Sequence, residues 1–129
     1  MILYCGPYDL KTVNFDGAFG HFVRTAMWAY SGSKGFLQLS HLAPFSVLHY
    51  VTAEFPPTFI SAGNGDPLLP QSRALADALT IQGVAVDSLF SLDYNPGLPH
   101  EYQFNLDSDA GQLALDRSLA FIKRVVAAR

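Results

Sequence analysis

The stretch Pro56-Pro57-Thr58-Phe59-Ile60-Ser61-Ala62-Gly63-Asn64-Gly65-Asp66-Pro67-Leu68 decides the fold. Residues 58–62 are β-forming or small and run between a Pro-Pro stop and a Gly/Asn/Asp cluster, which reads as a strand followed by a loop over 63–66. Residues 70–82 then place Leu75, Ala78, Leu79 and Gln82 on related helix faces, and Gly83 stands where a helix ends. A second strand is expected over 84–92, a loop with Pro96, Gly97 and Pro99 over 93–105, and a final helix over 110–127. In that helix Leu115, Leu119, Ile122 and Val126 form one apolar stripe. Strand, helix, strand, helix at this spacing defines the α/β class with parallel strands.

Toward the N-terminus, Ile2-Leu3-Tyr4-Cys5 is an apolar run ending at the turn signal Gly6-Pro7, and it reads as a buried strand. Nothing upstream in the sequence can pair with it, so the expectation is a chain that starts in the middle of a fold. Aromatics crowd residues 16–30, where Phe22, Ala26 and Ala29 fall at helical spacing before Ser31-Gly32-Ser33 stops the helix. A second short helix is expected over 44–51, from Phe45, Val47, Leu48 and Val51, with Pro56-Pro57 closing the segment. No repeat, low-complexity tract or interdomain linker interrupts the 129 residues, which have the length of one domain.

Composition excludes several functional classes. A chain 50% hydrophobic and 15% charged is not disordered, and a net charge of -3 with scattered basic residues offers no stripe for nucleic acid. Residues 35–53 carry no Asp, Glu, Lys or Arg, yet Gln38, Ser40, His41, Pro44, Ser46 and His49 disqualify them as a membrane span. The single cysteine, Cys5, closes no intrachain disulfide and no leader-like segment is apparent, so a cytoplasmic location is expected.

In an open parallel sheet, reactive groups gather beyond the carboxyl ends of the strands. Asp66 follows the strand over 58–62, where its ordinary roles are an Asx turn or a helix cap. His100 lies 34 positions later, in the loop Gly97-Leu98-Pro99-His100-Glu101-Tyr102. Loop histidines are commonly just exposed. An acid followed by a histidine on adjacent strand ends is, however, the order of the last two members of an α/β-hydrolase triad, in which the carboxylate fixes the imidazole tautomer.

The segment 56–68, together with Ser72-Arg73-Ala74-Leu75-Ala76-Asp77-Ala78-Leu79 and Gly83-Val84, resembles the C-terminal region of the hormone-sensitive-lipase-like α/β-hydrolases, a family of serine esterases and lipases. The opening Leu3-Tyr4-Cys5-Gly6-Pro7-Tyr8-Asp9-Leu10 resembles the family's strand after the nucleophile helix. The resemblance spans essentially the whole chain and is strongest over 55–84. It implies a partial α/β-hydrolase domain of about three parallel strands, with Asp66 as triad acid, His100 as general base and a cap-like segment at about 16–54. The family often has His-Gly-Phe where this chain has His100-Glu101-Tyr102.

The family's Gly-x-Ser-x-Gly elbow and His-Gly-Gly oxyanion stretch are both absent from these residues. Ser31-Gly32-Ser33-Lys34-Gly35 lacks the first glycine and follows a helix-like segment where an elbow needs a strand, so Ser33 reads as a helix stop. The resemblance therefore implies the acid and base of a Ser-His-Asp triad acting on a small-molecule ester, inactive without an upstream nucleophile. The alternative is a non-catalytic α/β module that assembles, as a homo-oligomer or by domain swapping, through the open edge of its first strand.

Other chemistries fit less well. The spacing of His21, His41, His49 and His100 supplies no metal-ligand pattern, and the position one helical turn after His100 is Phe104. Gly63-x-Gly65 starts like a dinucleotide loop but continues with Pro67 and Leu68. Cys5 has no histidine near it in sequence and reads as a small buried thiol. No metal or organic cofactor is expected. The aromatics Phe19, Phe22, Trp28 and Tyr30 are either core or part of a lid over an apolar acyl or alcohol pocket.

Overall fold

A computed structural model describes residues 1–91 and 93–128. Its sheet is made of β1 (Ile2–Tyr4), β2 (Thr58–Gly63) and β3 (Val86–Ser91), all parallel and in the order β1-β2-β3. Among the described residues three α-helices accompany them: α1 (Gly17–Ser31), α2 (Leu69–Ile81) and α3 (Asp109–Ala127). The α/β reading of the sequence holds at this level, a three-stranded parallel sheet with flanking helices. The last residue of the strand expected over 84–92, Leu92, lies outside the described residues.

β2 is the central strand, and all six of its residues are buried. Successive side chains on a strand face opposite ways, so Phe59 meets Phe121 of α3 at 6.0 Å between ring centroids, while Ile60 joins Leu75, Ala76 and Leu79 of α2. The sheet is thus sandwiched between α2 and α3. β1 had been expected to be a buried strand; its residues are only half-buried because it lies at the sheet edge.

Helix ends follow local rules. The Gly83 N–H bonds the Thr80 carbonyl and the Val84 N–H that of Leu79, with Gly83 at φ 78, a paired closure that a left-handed residue makes possible. The Ser108 hydroxyl accepts the Gly111 N–H and opens α3. Gly32, at φ 71, closes α1 as the Ser-Gly-Ser signal predicted.

Three helical expectations are corrected by tertiary contacts. The short α-helix over 44–51 is instead two 3-10 turns, Ser40–Phe45 and Val47–Tyr50. The Leu48 N–H that an α-helix would commit to Pro44 is donated to the Tyr8 carbonyl at 3.0 Å, and the Ser46 hydroxyl accepts the Leu10 N–H. In α1 the buried face is Gly20, Val23 and Met27, packed with Leu10, Val13 and Phe36, whereas Phe22 and Ala29 are exposed.

The third correction concerns α3. Its stripe of Leu115, Leu119, Ile122 and Val126 exists but is exposed, and the face turned inward is Ala110, Gly111, Ala114, Ser118 and Phe121. Small residues on that face let the helix lie close to the sheet. The Tyr4 hydroxyl reaches Ser118 Oγ at 2.6 Å, and Asp87 of β3 accepts from Arg117 and Arg124 at 2.7 Å each. Among the described residues, no helix is long and apolar enough to cross a membrane.

This orientation fixes the mutational pattern. Leu75→Ala should cost about 2–5 kcal/mol, as expected for a buried leucine, and Leu119→Ala should change stability by no more than about 0.5 kcal/mol. Urea titrations of the two variants check both, and a loss at Leu119 as large as that at Leu75 would restore the stripe to the core.

Candidate functional site: an acid–imidazole pair at the carboxyl end of the sheet

Asp66 and His100 sit on loops that leave the ends of the adjacent strands β2 and β3. The two loops are joined backbone to backbone. The Gly65 N–H donates to the Leu98 carbonyl at 2.9 Å, and the Leu98 N–H to Asn64 Oδ1 at 2.8 Å. A Cβ on Gly63 would stand 2.2 Å from the Leu98 carbonyl oxygen, so only glycine permits the approach. Gly63 and Gly65 are explained by this contact, a Cβ on Gly65 standing 2.9 Å from the Gly97 carbonyl oxygen.

The Asp66 side chain is fully buried. Its Oδ1 accepts the Leu68 N–H at 2.7 Å, and His100 Nδ1 lies 3.1 Å from Oδ2 and 3.2 Å from Oδ1. The carboxylate is therefore an Asx-turn acceptor and the partner of the histidine at once. An ionised carboxylate only accepts hydrogen bonds, so Nδ1 carries the proton and donates it, which leaves the lone pair on Nε2. No described residue hydrogen-bonds Nε2. The His100 side chain retains about a quarter of its exposure, and Phe19 of α1 packs edge-on against the ring at 5.0 Å. The arrangement can accept a proton at Nε2 and steady the resulting cation.

A polar network beneath the pair escaped the sequence reading. Tyr102, buried, bonds Ser61 Oγ at 2.9 Å, and Gln103 Nε2 donates to the Ser61 carbonyl and hydroxyl at 3.1 Å each. These contacts anchor the chain just after His100 to β2. Between them Glu101 adopts φ 61, a left-handed conformation that is uncommon outside glycine.

Cys5 also belongs to this neighbourhood. Its N–H continues the β1–β2 ladder to the Ser61 carbonyl, its thiol faces Gln103 Oε1 at 3.8 Å, and its sulfur lies within 4.8 Å of donor atoms of both Asp66 and His100. The only sequence signal was its place at a strand end adjoining β2. Burial pushes the thiol up to about 11 from an ordinary 9.0, the Asp66 charge adding to the rise. The thiol is a neutral, buried group at physiological pH.

The remaining candidates stay apart from the pair. Ser33 Oγ accepts the Gly35 N–H in the turn after α1, the helix-stop role expected of it. His49 pairs with Asp9 at 3.4 Å, where burial raises the Asp9 carboxyl but the Lys11 N–H and His49 outweigh it and hold it low. Phe104 is exposed, and the His41 side chain lies outside the description. Of the cap aromatics, Phe22, Trp28 and Tyr30 are exposed, and Phe19 is half-buried against His100.

No protein-family model matches this chain, and neither a curated protein nor a solved structure is detectably similar to it.

The Cys5 thiol should resist alkylation in the native state. At pH 8 a group titrating at about 11 is about one-thousandth thiolate, so iodoacetamide should react about 100-fold more slowly than with the urea-unfolded chain. Because the unfolded thiol ionises first, folding stability should also decline as pH rises from about 9 towards about 11. Equal alkylation rates in the folded and unfolded chain, followed by mass spectrometry, would contradict the burial argument.

Proposed function

We propose that this chain is the C-terminal portion of a serine carboxylic-ester hydrolase of the hormone-sensitive-lipase-like α/β-hydrolase type, supplying the acid and base of a Ser-His-Asp triad. The observation that carries the reading is the 3.1 Å approach of His100 Nδ1 to a buried Asp66 carboxylate, with Nε2 left open. In the intact enzyme a serine from outside this sequence attacks the ester carbonyl. His100 takes the serine proton at Nε2 and returns it to the leaving alcohol, while Asp66 holds the imidazole tautomer and stabilises its cation. Backbone N–H groups outside this sequence hold the oxyanion.

Two further features support the reading. Glu101 stands at φ 61 in the position where the resembled family often carries glycine, and Tyr102 fills the place of its phenylalanine with a buried ring. Residues 16–54 have the character of a cap, since Phe19 touches His100 while Phe22, Trp28 and Tyr30 face outward. Exposed aromatic surface of this kind suits a lid over an apolar acyl or alcohol group.

The second reading, a non-catalytic module that assembles with a further copy, has its own support. Among the described residues β1 pairs only with β2, so its outer edge stays open, and the α3 stripe of Leu115, Leu119, Ile122 and Val126 is exposed.

The isolated chain should not hydrolyse p-nitrophenyl esters above background, because loss of the nucleophile removes on the order of 10⁶-fold in kcat. Extended upstream in its reading frame to include a Gly-x-Ser-x-Gly elbow, the protein should hydrolyse them, and His100→Ala should abolish the activity. An extended protein that contains no elbow, or one whose hydrolysis survives His100→Ala, contradicts the proposal. If the extended protein is also inactive and light scattering shows the chain to be a dimer or larger, the second reading takes its place.

A further inference from the structure

We propose that Cys5, Asp66 and His100 together form a binding site for one borderline-soft divalent cation, of the zinc or cobalt type. The three side chains come from the carboxyl ends of three neighbouring strands, and one donor atom from each lies within 4.8 Å of the others. Ligands around a tetrahedral zinc ion, at about 2.0–2.3 Å from the metal, stand roughly 3.3–3.8 Å apart. His100 Nδ1 and Asp66 Oδ2 already approach to 3.1 Å, and the Cys5 sulfur, within 4.8 Å of the other two donors, has to close by about 1 Å to complete the set.

The donor set selects the ion. A thiolate and an imidazole are ligands for zinc, cobalt or copper, whereas calcium and magnesium demand oxygen. Cys5 and Asp66 are buried and His100 is half-exposed, which gives three protein ligands and a fourth position open to water on the histidine side. The mount is firm. The Asp66 carboxylate is held by the Leu68 N–H, and Cys5 is held at φ 37, a strained conformation for a residue with a side chain, by the bond from its N–H to the Ser61 carbonyl. On binding, the metal–sulfur bond replaces the thiol S–H bond and the metal–nitrogen bond replaces the His100 Nδ1–H bond; the thiol proton passes to solvent, and the imidazole changes tautomer, Nε2 taking a proton from solvent as Nδ1 gives its own up.

No metal-ligand pattern in the sequence announces this site, because its residues are separated by 61 and 34 positions along the chain. The inference does not depend on the ester-hydrolase reading. Should that reading hold, the ion would occupy groups that the acid–base relay needs and would act as an inhibitor at this same pair.

The test is an anaerobic titration of the reduced full chain with Co²⁺, followed by optical absorption. Expected are one ion per chain, a thiolate-to-cobalt charge-transfer band with four-coordinate d–d bands, and displacement by Zn²⁺. Cys5→Ser should remove the charge-transfer band, and His100→Ala should weaken affinity more than about tenfold. His49→Ala, at a histidine outside the cluster, should leave binding unchanged. Because Cys5 is buried and its replacement can compromise folding, His100→Ala, with its fold checked by circular dichroism, is the deciding variant. Absence of the charge-transfer band in the parent chain at millimolar Co²⁺, or an undiminished affinity in His100→Ala, overturns the proposal.

Discussion

Two loops touching backbone to backbone hold the carboxyl end of this sheet together. Gly63, Asn64 and Gly65 meet Leu98 so closely that a side chain on Gly63 would collide with its carbonyl. Parallel neighbours β2 and β3 bring the two loops to the same end, and the interlock then sets their mutual position. The Asp66 carboxylate and the His100 ring inherit that position. A loop free to sample many conformations would place a histidine 3.1 Å from a buried acid only at a large entropic cost. Here the cost is met by contacts that do not involve the pair itself: the glycine approach on one side, and Tyr102 and Gln103 bound to Ser61 on the other.

Much of this was legible in the sequence because it depends on local signals. Glycine and proline punctuation located β2, α2 and the end of α1, and the rule that loops at strand ends carry chemistry singled out Asp66 and His100. What was not legible depends on partners far along the chain. The α3 stripe has helical periodicity, but periodicity does not say which face meets the sheet. The face carrying Ala114, Ser118 and Phe121 was chosen by the closeness of Tyr4 and Phe59. The helix expected over 44–51 failed because the Leu48 N–H had a better placed acceptor at Tyr8. Cys5 passed as an ordinary buried thiol because the residues beside it in space are 61 and 95 positions away.

Asp66 shows how a modest reading and a functional one can coexist. Oδ1 closes the turn to Leu68, which is the common employment of an aspartate before a helix, and that bond orients the carboxylate so that both its oxygens face His100 Nδ1, at 3.2 and 3.1 Å. The turn is thus the device that positions the carboxylate. On the proposed ester-hydrolase reading it is what keeps the imidazole lone pair facing outward, towards a nucleophile carried by another part of the protein. On the proposed cation-binding reading it presents the same carboxylate to a metal.

The most direct measurement of this account is the tautomeric state of His100 in the folded, metal-free chain, read from long-range proton–nitrogen NMR correlations of the imidazole at a pH where the ring is neutral. The account predicts a ring protonated at Nδ1, with a hydrogen-bonded Nδ1–H signal that disappears in Asp66→Asn. A ring protonated chiefly at Nε2, or one averaging freely between the two tautomers, would contradict it.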